Sequence, residues 1–518
     1  MRRIGIDVGG TNTDAVLIEG SEVVRWCKTP TTEDVTQGIR VALATVLEPD
    51  QDGGSSRAAI DAVMIGTTHF TNAVVERREL DPVAAVRIGL PASASLPPFV
   101  DWPSDLAELV RGGVFLVAGG HEYDGRPIVP FDAAGMRSVA ERIADSSVRS
   151  VAISSVFSPL TSECEEAAAE IVAQVVPGAR VTLSHALGRI GLLERENATI
   201  LNATLRSLAD RTLAAFERAL VESGLDCPLF VTLNDGTVAR SEMVARFPVL
   251  SFASGPTNSM RGAAFLTGMS DALVVDVGGT TTDIGALVGG FPREANSVVE
   301  VGGVRTLFRM PDLLSIGLGG GSIVSEDGGQ VGPTSVGFRI QEEALVFGGD
   351  TLTASDVAVA LGWTSMGDGS HVAGEPRARV ERAAWSLHTA LAEAVDRMKT
   401  DARPEPLIAV GGGAFLVPER MDGISEVVRV PHQGVANAVG AAIAQVSGEV
   451  DRIFQGVGRE GAIVEATALA NERAMAAGAA ASTLRVVDLE DLPLAYLPGD
   501  ALRVRVKVVG DVGQTVRV

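Results

Sequence analysis

The sequence predicts an α/β protein of two related lobes facing a common cleft, and three observations carry that reading. A short motif occurs twice, about half a chain apart: Asp7-Val8-Gly9-Gly10-Thr11-Asn12-Thr13-Asp14 and Asp276-Val277-Gly278-Gly279-Thr280-Thr281-Thr282-Asp283. Each copy is bracketed by apolar runs, Ile4-Gly5-Ile6 and Ala15-Val16-Leu17-Ile18 around the first, Leu273-Val274-Val275 and Ile284-Gly285-Ala286-Leu287 around the second. Such a segment reads as strand, glycine turn, strand. The third observation is size: 518 residues exceed what a single core organises, so two or more domains are expected.

The remaining elements follow in chain order. A helix is expected over 36–47, then a strand at 62–65 that leaves through Gly66-Thr67-Thr68 into a helix carrying His69, Phe70 and Asn72. Such strand-to-helix edges are where α/β proteins place ligands. The Pro-rich stretch 91–103 and the segment 119–125 read as loops, 150–156 as a buried strand, and 162–176 as a helix with acidic residues in its first turn. A long core helix is expected over 194–223. Phe252-Ala253-Ser254-Gly255-Pro256-Thr257 forms a turn feeding a helix of small residues, just ahead of the second motif. Beyond it come the glycine-rich 317–322, a helix over 378–399, and the strand Leu407-Ile408-Ala409-Val410 ending in Gly411-Gly412-Gly413. An Ala-rich helix over 435–446 and alternating short strands over 484–518 complete the reading.

The chemistry of the repeated turn follows from its residues. Paired glycines let backbone N–H groups approach a phosphate, and threonine hydroxyls add neutral donors and acceptors. An Asp ahead of the glycines is placed to hold Mg²⁺, largely through water, because Mg²⁺ prefers oxygen ligands and keeps much of its hydration. One such turn is commonly just a hairpin; two copies favour a nucleotide held between related lobes. Neither the Gly-Lys-Ser/Thr of a P-loop nor a dinucleotide fingerprint opening directly into a helix is present. The triplet Gly411, Gly412 and Gly413 leaves room for the adenosine side of the same ligand, or serves as a tight turn.

Composition narrows the partners. The 46% hydrophobic content and 58 glycines suit a compact, loop-rich chain, while 4% aromatics offers no stacking platform for nucleic acid. A net charge of −22 also disfavours a polyanion. Neither a signal pattern nor an apolar run of about 18 residues is read, so a cytoplasmic protein away from membranes is expected. Cys27, Cys164 and Cys227 are dispersed, without C-x-x-C, and read as inert thiols. The six histidines lack zinc-ligand spacing.

Beyond the two motifs, Gly66-Thr67-Thr68 with Thr71-Asn72-Ala73, Ser184-His185 with Glu194-Arg195 and Asn202-Ala203, Ser254-Gly255-Pro256, Gly319–Ser322, and Gly348-Gly349-Asp350 with Thr353-Ala354-Ser355-Asp356 occur in order along residues 3–445. In these the chain resembles the hydantoinase A/oxoprolinase family, within the actin-like, sugar-kinase-like ATPase superfamily. The resemblance implies two ribonuclease-H-like lobes around an ATP–Mg²⁺ cleft, with a small C-terminal extension. It divides the chain at 1–183, 184–446 and 447–518. It implies an ATP-dependent hydrolase subunit that opens a cyclic amide, such as a hydantoin, 5-oxoproline or another lactam, by phosphorylating the amide oxygen or bicarbonate. A separately encoded B-type subunit and an oligomeric assembly would accompany it. The alternatives are a small-molecule kinase and an ATP-driven reactivation or regulatory ATPase. Without cysteines placed for an iron–sulfur cluster or a basic helix-turn-helix, two regulatory branches are disfavoured.

The residue assignments are then specific. Asp7 and Asp276 are the expected Mg²⁺-side carboxylates, and Asp14 and Asp283 either position the attacking oxygen or fix their own hairpins. Gly9, Gly10, Thr11, Asn12 and Thr13 are expected on phosphate from one lobe, and Gly278, Gly279, Thr280 and Thr281 from the other. Thr67, Thr68, His69 and Asn72 are the substrate-side candidates. His121 and Glu122, adjacent in sequence, would point to opposite faces of a strand and are not read as a metal pair, and His185, near the start of a helix, is either a site residue or a satisfied structural one.

Overall fold

The computed structural model describes residues 1–10, 12–30, 35–48, 60–187, 190–295, 298–494 and 500–513. Two sheets repeat one topology. In the first, the strand Arg2–Val8 forms a hairpin with Asn12–Glu19 and pairs in parallel with Ala62–Thr67 on its other side. In the second, Ala272–Val277 forms a hairpin with Thr282–Val288 and pairs in parallel with Glu405–Val410. The register repeats as well: Asp7 stands opposite Asp14, and Asp276 opposite Asp283. Two ribonuclease-H-like lobes of the actin type are the result. Both hairpins are apolar on the faces that meet helices, since strands covered on both sides read as nearly continuous hydrophobic runs.

The lobes meet through two helices, Ser254–Thr267 and Ala436–Ile443. They cross so closely that a Cβ on Gly440 would lie 1.8 Å from the Asn258 carbonyl oxygen, and one on Gly262 would lie 1.9 Å from that of Ala436. Glycine is required at both positions by backbone contact. The helix expected over 435–446 ends at Ile443, because Val446 starts a strand.

The first sheet is larger than the repeat. Beyond Ala62–Thr67 it continues through Leu229–Thr232, Val238–Arg240, Val446–Phe454, Leu502–Gly510 and Arg485–Pro493. Chain from either side of the expected divisions at 183/184 and 446/447 thus shares one sheet. A helix missing from the sequence reading, Gly458–Ala476, covers these strands through Ala462, Ala466, Ala470 and Ala474, all fully buried. Ion pairs tie the added strands to the second lobe: Arg505 reaches Glu294 at 2.6 Å, and Arg309 pairs with Glu294 at 3.0 Å and with Glu449.

Between Val83 and Leu183 the chain builds a separate four-stranded parallel sheet, in the order Arg111–Ala118, Val83–Leu90, Ser150–Ser155, Arg180–Leu183. Helices Ala133–Ala144 and Glu163–Val175 cover one face. The 31-residue helix Leu192–Glu222 packs on the other, spanning from this inserted sheet to the first lobe.

Candidate functional site

The two glycine turns close in the same way. Gly9 N–H donates to the Asn12 carbonyl at 3.0 Å, and Gly278 N–H to that of Thr281 at 2.9 Å. The second turn is braced from behind, with Gly320 N–H on the Gly278 carbonyl at 3.0 Å and Gly321 N–H on that of Gly279 at 2.7 Å. This gives the glycine-rich 319–322 segment its role: it holds a turn. Thr13 is buried within its strand, and Thr11 lies outside the described residues. The Gly411–Gly413 turn sits beside the second hairpin, Gly413 donating to the Val277 carbonyl at 2.8 Å. A Cβ on Gly411 would lie 2.2 Å from Asp276 Oδ1, whereas one on Gly412 would find only Lys28 Cε, at 3.9 Å. Gly412 opens onto a cavity of about 560 Å³ whose wall includes Trp26, Lys28, Arg429 and His432.

The first carboxylate pair is sealed and clamped. Asp7 and Asp14 are 4% and 2% exposed. Asn258 Nδ2 donates to Asp7 Oδ1 at 3.2 Å, and Asn437 Nδ2 donates to Asp7 Oδ2 at 3.0 Å and to Asp14 Oδ2 at 2.9 Å. Lys28 Nζ adds a charged donor to Asp14 Oδ2 at 2.8 Å and reaches the Gly434 carbonyl at 3.0 Å. Both Asn residues come from the crossing helices, so the glycine contact that joins the lobes also aims these amides. Gly66 completes the fit, because a Cβ there would lie 2.2 Å from Asn258 Nδ2. Burial nonetheless pushes the Asp7 carboxyl up to about 6, offset in part by the Asn258 bond, while the Asp14 and Asp276 charges add to the rise.

The second pair is more open. Asp276 and Asp283 are both half-buried. Asp276 accepts from the Ser259 hydroxyl and Asp283 from that of Ser315. Desolvation raises both carboxyls, Asp283 to about 6, and the Asp276 charge contributes to that second rise. Lys28 opposes the rise at Asp276, so this one ammonium acts on carboxylates of both lobes.

The substrate-side candidates form a connected turn. Ser254 Oγ donates to the Thr67 carbonyl at 2.9 Å, Thr71 Oγ1 to the Phe252 carbonyl at 2.6 Å, and Asn72 Nδ2 to Thr68 Oγ1 at 3.3 Å. The His69 imidazole is lowered by burial, which favours its neutral form. His185 donates its backbone N–H to Glu165 Oε2 at 3.0 Å and has Nδ1 2.7 Å from the same oxygen. Thr353 and Asp356 form a reciprocal helix cap, so that landmark is structural. Burial pushes the Cys27 thiol up to about 11.

Sequence reasoning missed Lys28, Asn258, Asn437, Ser259 and Ser315. A weak signal for the two Asn residues exists in a similar pattern: Gly255-Pro256-Thr257-Asn258 ahead of Gly262-Ala263-Ala264 resembles Gly434-Val435-Ala436-Asn437 ahead of Gly440-Ala441-Ala442, with one residue fewer between the Asn and the second glycine.

The described donor set suits a hard cation. It is made of carboxylates, and Asp14 Oδ1 and Asn258 Oδ1 are buried oxygens without a hydrogen-bond partner. Among the described residues no three His, Cys, Asp or Glu side chains converge as a direct metal cage. No described helix is long and apolar enough to cross a membrane.

Residues 3–176 match the hydantoinase/oxoprolinase N-terminal region, and residues 195–368 match the hydantoinase/oxoprolinase model. The caprolactamase subunit alpha of Pseudomonas jessenii is 27% identical over 428 residues, 76% of this chain and 58% of the relative. The acetophenone carboxylase gamma subunit of Aromatoleum aromaticum is 25% identical over 402 residues, 70% of this chain and 53% of its own length. The chain thus spans a little over half the length of these relatives. Among solved structures, the ATP-dependent caprolactamase from Pseudomonas jessenii superposes with a TM-score of 0.78 at 19% identity, over 99% of this chain and 88% of that one. A nucleotide-free acetone carboxylase gives a TM-score of 0.70 at 17% identity, over 99% and 89%.

Proposed function

The chain belongs to the hydantoinase/oxoprolinase family, and from that premise and the paired carboxylate hairpins we propose that it is an ATP-dependent subunit that opens cyclic amides by phosphorylating the amide oxygen. The carrying observation is the duplicated Asp–Gly-Gly hairpin, whose carboxylates from both lobes act on one another electrostatically around Lys28.

An unstrained amide is a poor electrophile because resonance stabilises its C–N bond. ATP supplies the activation: its γ-phosphoryl group moves to the amide oxygen while ADP leaves. One water then adds at carbon and the C–N bond breaks to give an acyl phosphate, and a second water attacks the acyl carbon, breaking its bond to the phosphate oxygen to release the carboxylate and inorganic phosphate. With the Gly9 and Gly278 N–H groups closing their own turns, the backbone N–H groups of Gly10 and Gly279 would meet phosphate oxygens from opposite sides, and Gly412 would admit the nucleoside into the Trp26–Arg429 cavity. Asp7 and Asp276 would hold Mg²⁺, partly through water, and the ion supplies charge neutralisation at the phosphates. Asn258 and Asn437 fix the orientation of Asp7, and Lys28 balances Asp14. Asp283 accepts or releases a proton near pH 6, where its carboxyl titrates. Thr67, Thr68, His69 and Asn72 border the strand end beside Asp7 and face the substrate. Positioning and charge account for most of the catalysis. In this reading the chain acts in the cytoplasm with a B-type subunit; two of its relatives are named as subunits, one alpha and one gamma, which supports a partner.

ATP turnover tests the reading. The purified chain, alone and with its co-purifying partner, is assayed with hydantoin, 5-oxoproline and a simple lactam. Substrate-stimulated ADP release with a ring-opened product supports it. Accumulation of a stable phosphorylated product would identify a kinase instead.

A further inference from the structure

The inserted sheet carries a cavity separate from the glycine hairpins. Its chain path starts at Val83–Leu90, moves outward on one side to Arg111–Ala118, and returns across to Ser150–Ser155 and Arg180–Leu183. All four strands are parallel, so the order reverses between Val83–Leu90 and Ser150–Ser155. In open parallel sheets, the crevice outside the carboxyl ends at such a reversal is where ligands bind. A cavity of about 320 Å³ lies at that point. Ala92, Ser93 and Leu96, following the first strand, form one wall, Val156 follows the third strand, and Leu192 and Leu193 close it from the long helix. None of the nucleotide-hairpin residues lines it.

The charges around the cavity define what it accepts. Arg87 is fully buried and neutralised by Glu196, with Nε 2.8 Å from Oε2 and Nη2 on Oε1. Its Nη1 is spent on the carbonyls of Ser93 and Leu96. Ser154 adds a 2.6 Å bond to Glu196, completing a satisfied floor. Among the described residues the other charge on the wall is Glu194, whose Arg305 partner stands 3.6 Å away. The cavity thus presents an aliphatic wall, short hydroxyls and one carboxylate, with its cation already compensated. We propose that this crevice binds an uncharged cyclic amide with an apolar body, and that it discriminates against rings bearing a carboxylate.

The inference rests on the proposed lactam chemistry for its ligand class, and on the sheet reversal and cavity for its location. Ligand-observed NMR with the full-length chain, without nucleotide, compares 2-piperidone with 5-oxoproline. ADP binding is measured by calorimetry on the same samples. Ala92→Trp and Ser95→Trp each fill the crevice from its exposed rim, and thermal melting checks their folding. The expected result is 2-piperidone binding at least 10-fold tighter than 5-oxoproline, weakened at least 10-fold by either variant, with ADP affinity unchanged. Undetectable lactam binding, a preference for 5-oxoproline, or lactam affinity untouched by either folded variant would overturn the site. Loss of ADP binding by the unaltered chain would instead remove the nucleotide reading, and the lactam arms would still decide the crevice.

Discussion

The two hairpins share a backbone and differ in how their carboxylates are held. Asp7 and Asp14 are sealed, clamped by two Asn amides and compensated by Lys28. Asp276 and Asp283 are half-buried and rest on serine hydroxyls. One duplication has therefore produced a rigid side and an open side. Full burial needs strong, fixed partners to keep a charge tolerable, whereas partial exposure needs only hydroxyls and water. In the proposed reaction the first pair would position and the second would exchange with water and substrate.

The comparison breaks most visibly at the open side. Asp276→Asn is expected to lower ATP turnover by about 10³-fold or more, roughly 4 kcal/mol of barrier, with the fold intact by circular dichroism. Turnover within 10-fold of the parent would remove this carboxylate from the chemistry.

Next in size is the joint between the lobes. Gly440→Ala places a methyl carbon against the Asn258 carbonyl and is expected to cost about 3 kcal/mol or more, read as a lower denaturation midpoint. The helices must separate, so the Asn258 and Asn437 amides lose their aim at Asp7. An unchanged midpoint would mean that the contact relaxes freely.

A smaller effect appears in the pH dependence of the sealed side. The folded Asp7 carboxyl lies at about 6, above its ordinary 3.8, so the folded chain binds a proton more tightly than the unfolded one. Its contribution to stability is present at low pH and lost as pH rises from about 4 through 6. Asp7→Asn removes that loss, at the expense of turnover. Relative to the parent, the variant is expected to gain roughly 2–3 kcal/mol at pH 8, with the gain fading toward pH 4. Melting curves across that range check it; a pH-independent difference would place the cost elsewhere.

Lys28→Met should be milder. The ammonium is about one-third exposed, so its loss is expected to destabilise by about 1–2 kcal/mol, less than a fully buried pair would. Nucleotide affinity is expected to fall about 10-fold, since Lys28 is the cation acting on both lobes' carboxylates. Equal affinity would restrict Lys28 to a structural role.

Much of the rigid and open sides was legible in sequence, because a glycine turn between two apolar strands is a local pattern. The clamps were not, because Asn258 and Asn437 sit in Ala/Gly-rich helices where an isolated Asn carries no local signal. Only the similarity of Gly255–Ala264 to Gly434–Ala442 points to them, and it becomes meaningful once the helices are seen to cross. Lys28 is similarly silent, a single charge on a strand whose partner lies across a hairpin. Strands 150–155 and 405–410 announced themselves by apolar runs, but sheet membership is a long-range property. Nothing near Val446 indicates that its strand joins the sheet begun at Arg2. The helix Gly458–Ala476 was missed because its buried stripe is alanine alone at four-residue spacing, a weak amphipathic signal.

The most direct test of the central claim follows one oxygen atom. The chain and its partner subunit are given ATP and a lactam labelled with ¹⁸O at the carbonyl, and the released phosphate is examined by ³¹P NMR. If the amide oxygen is phosphorylated, the label moves into inorganic phosphate as the ring opens. Ring opening with all the label retained in the carboxylate product would contradict the account.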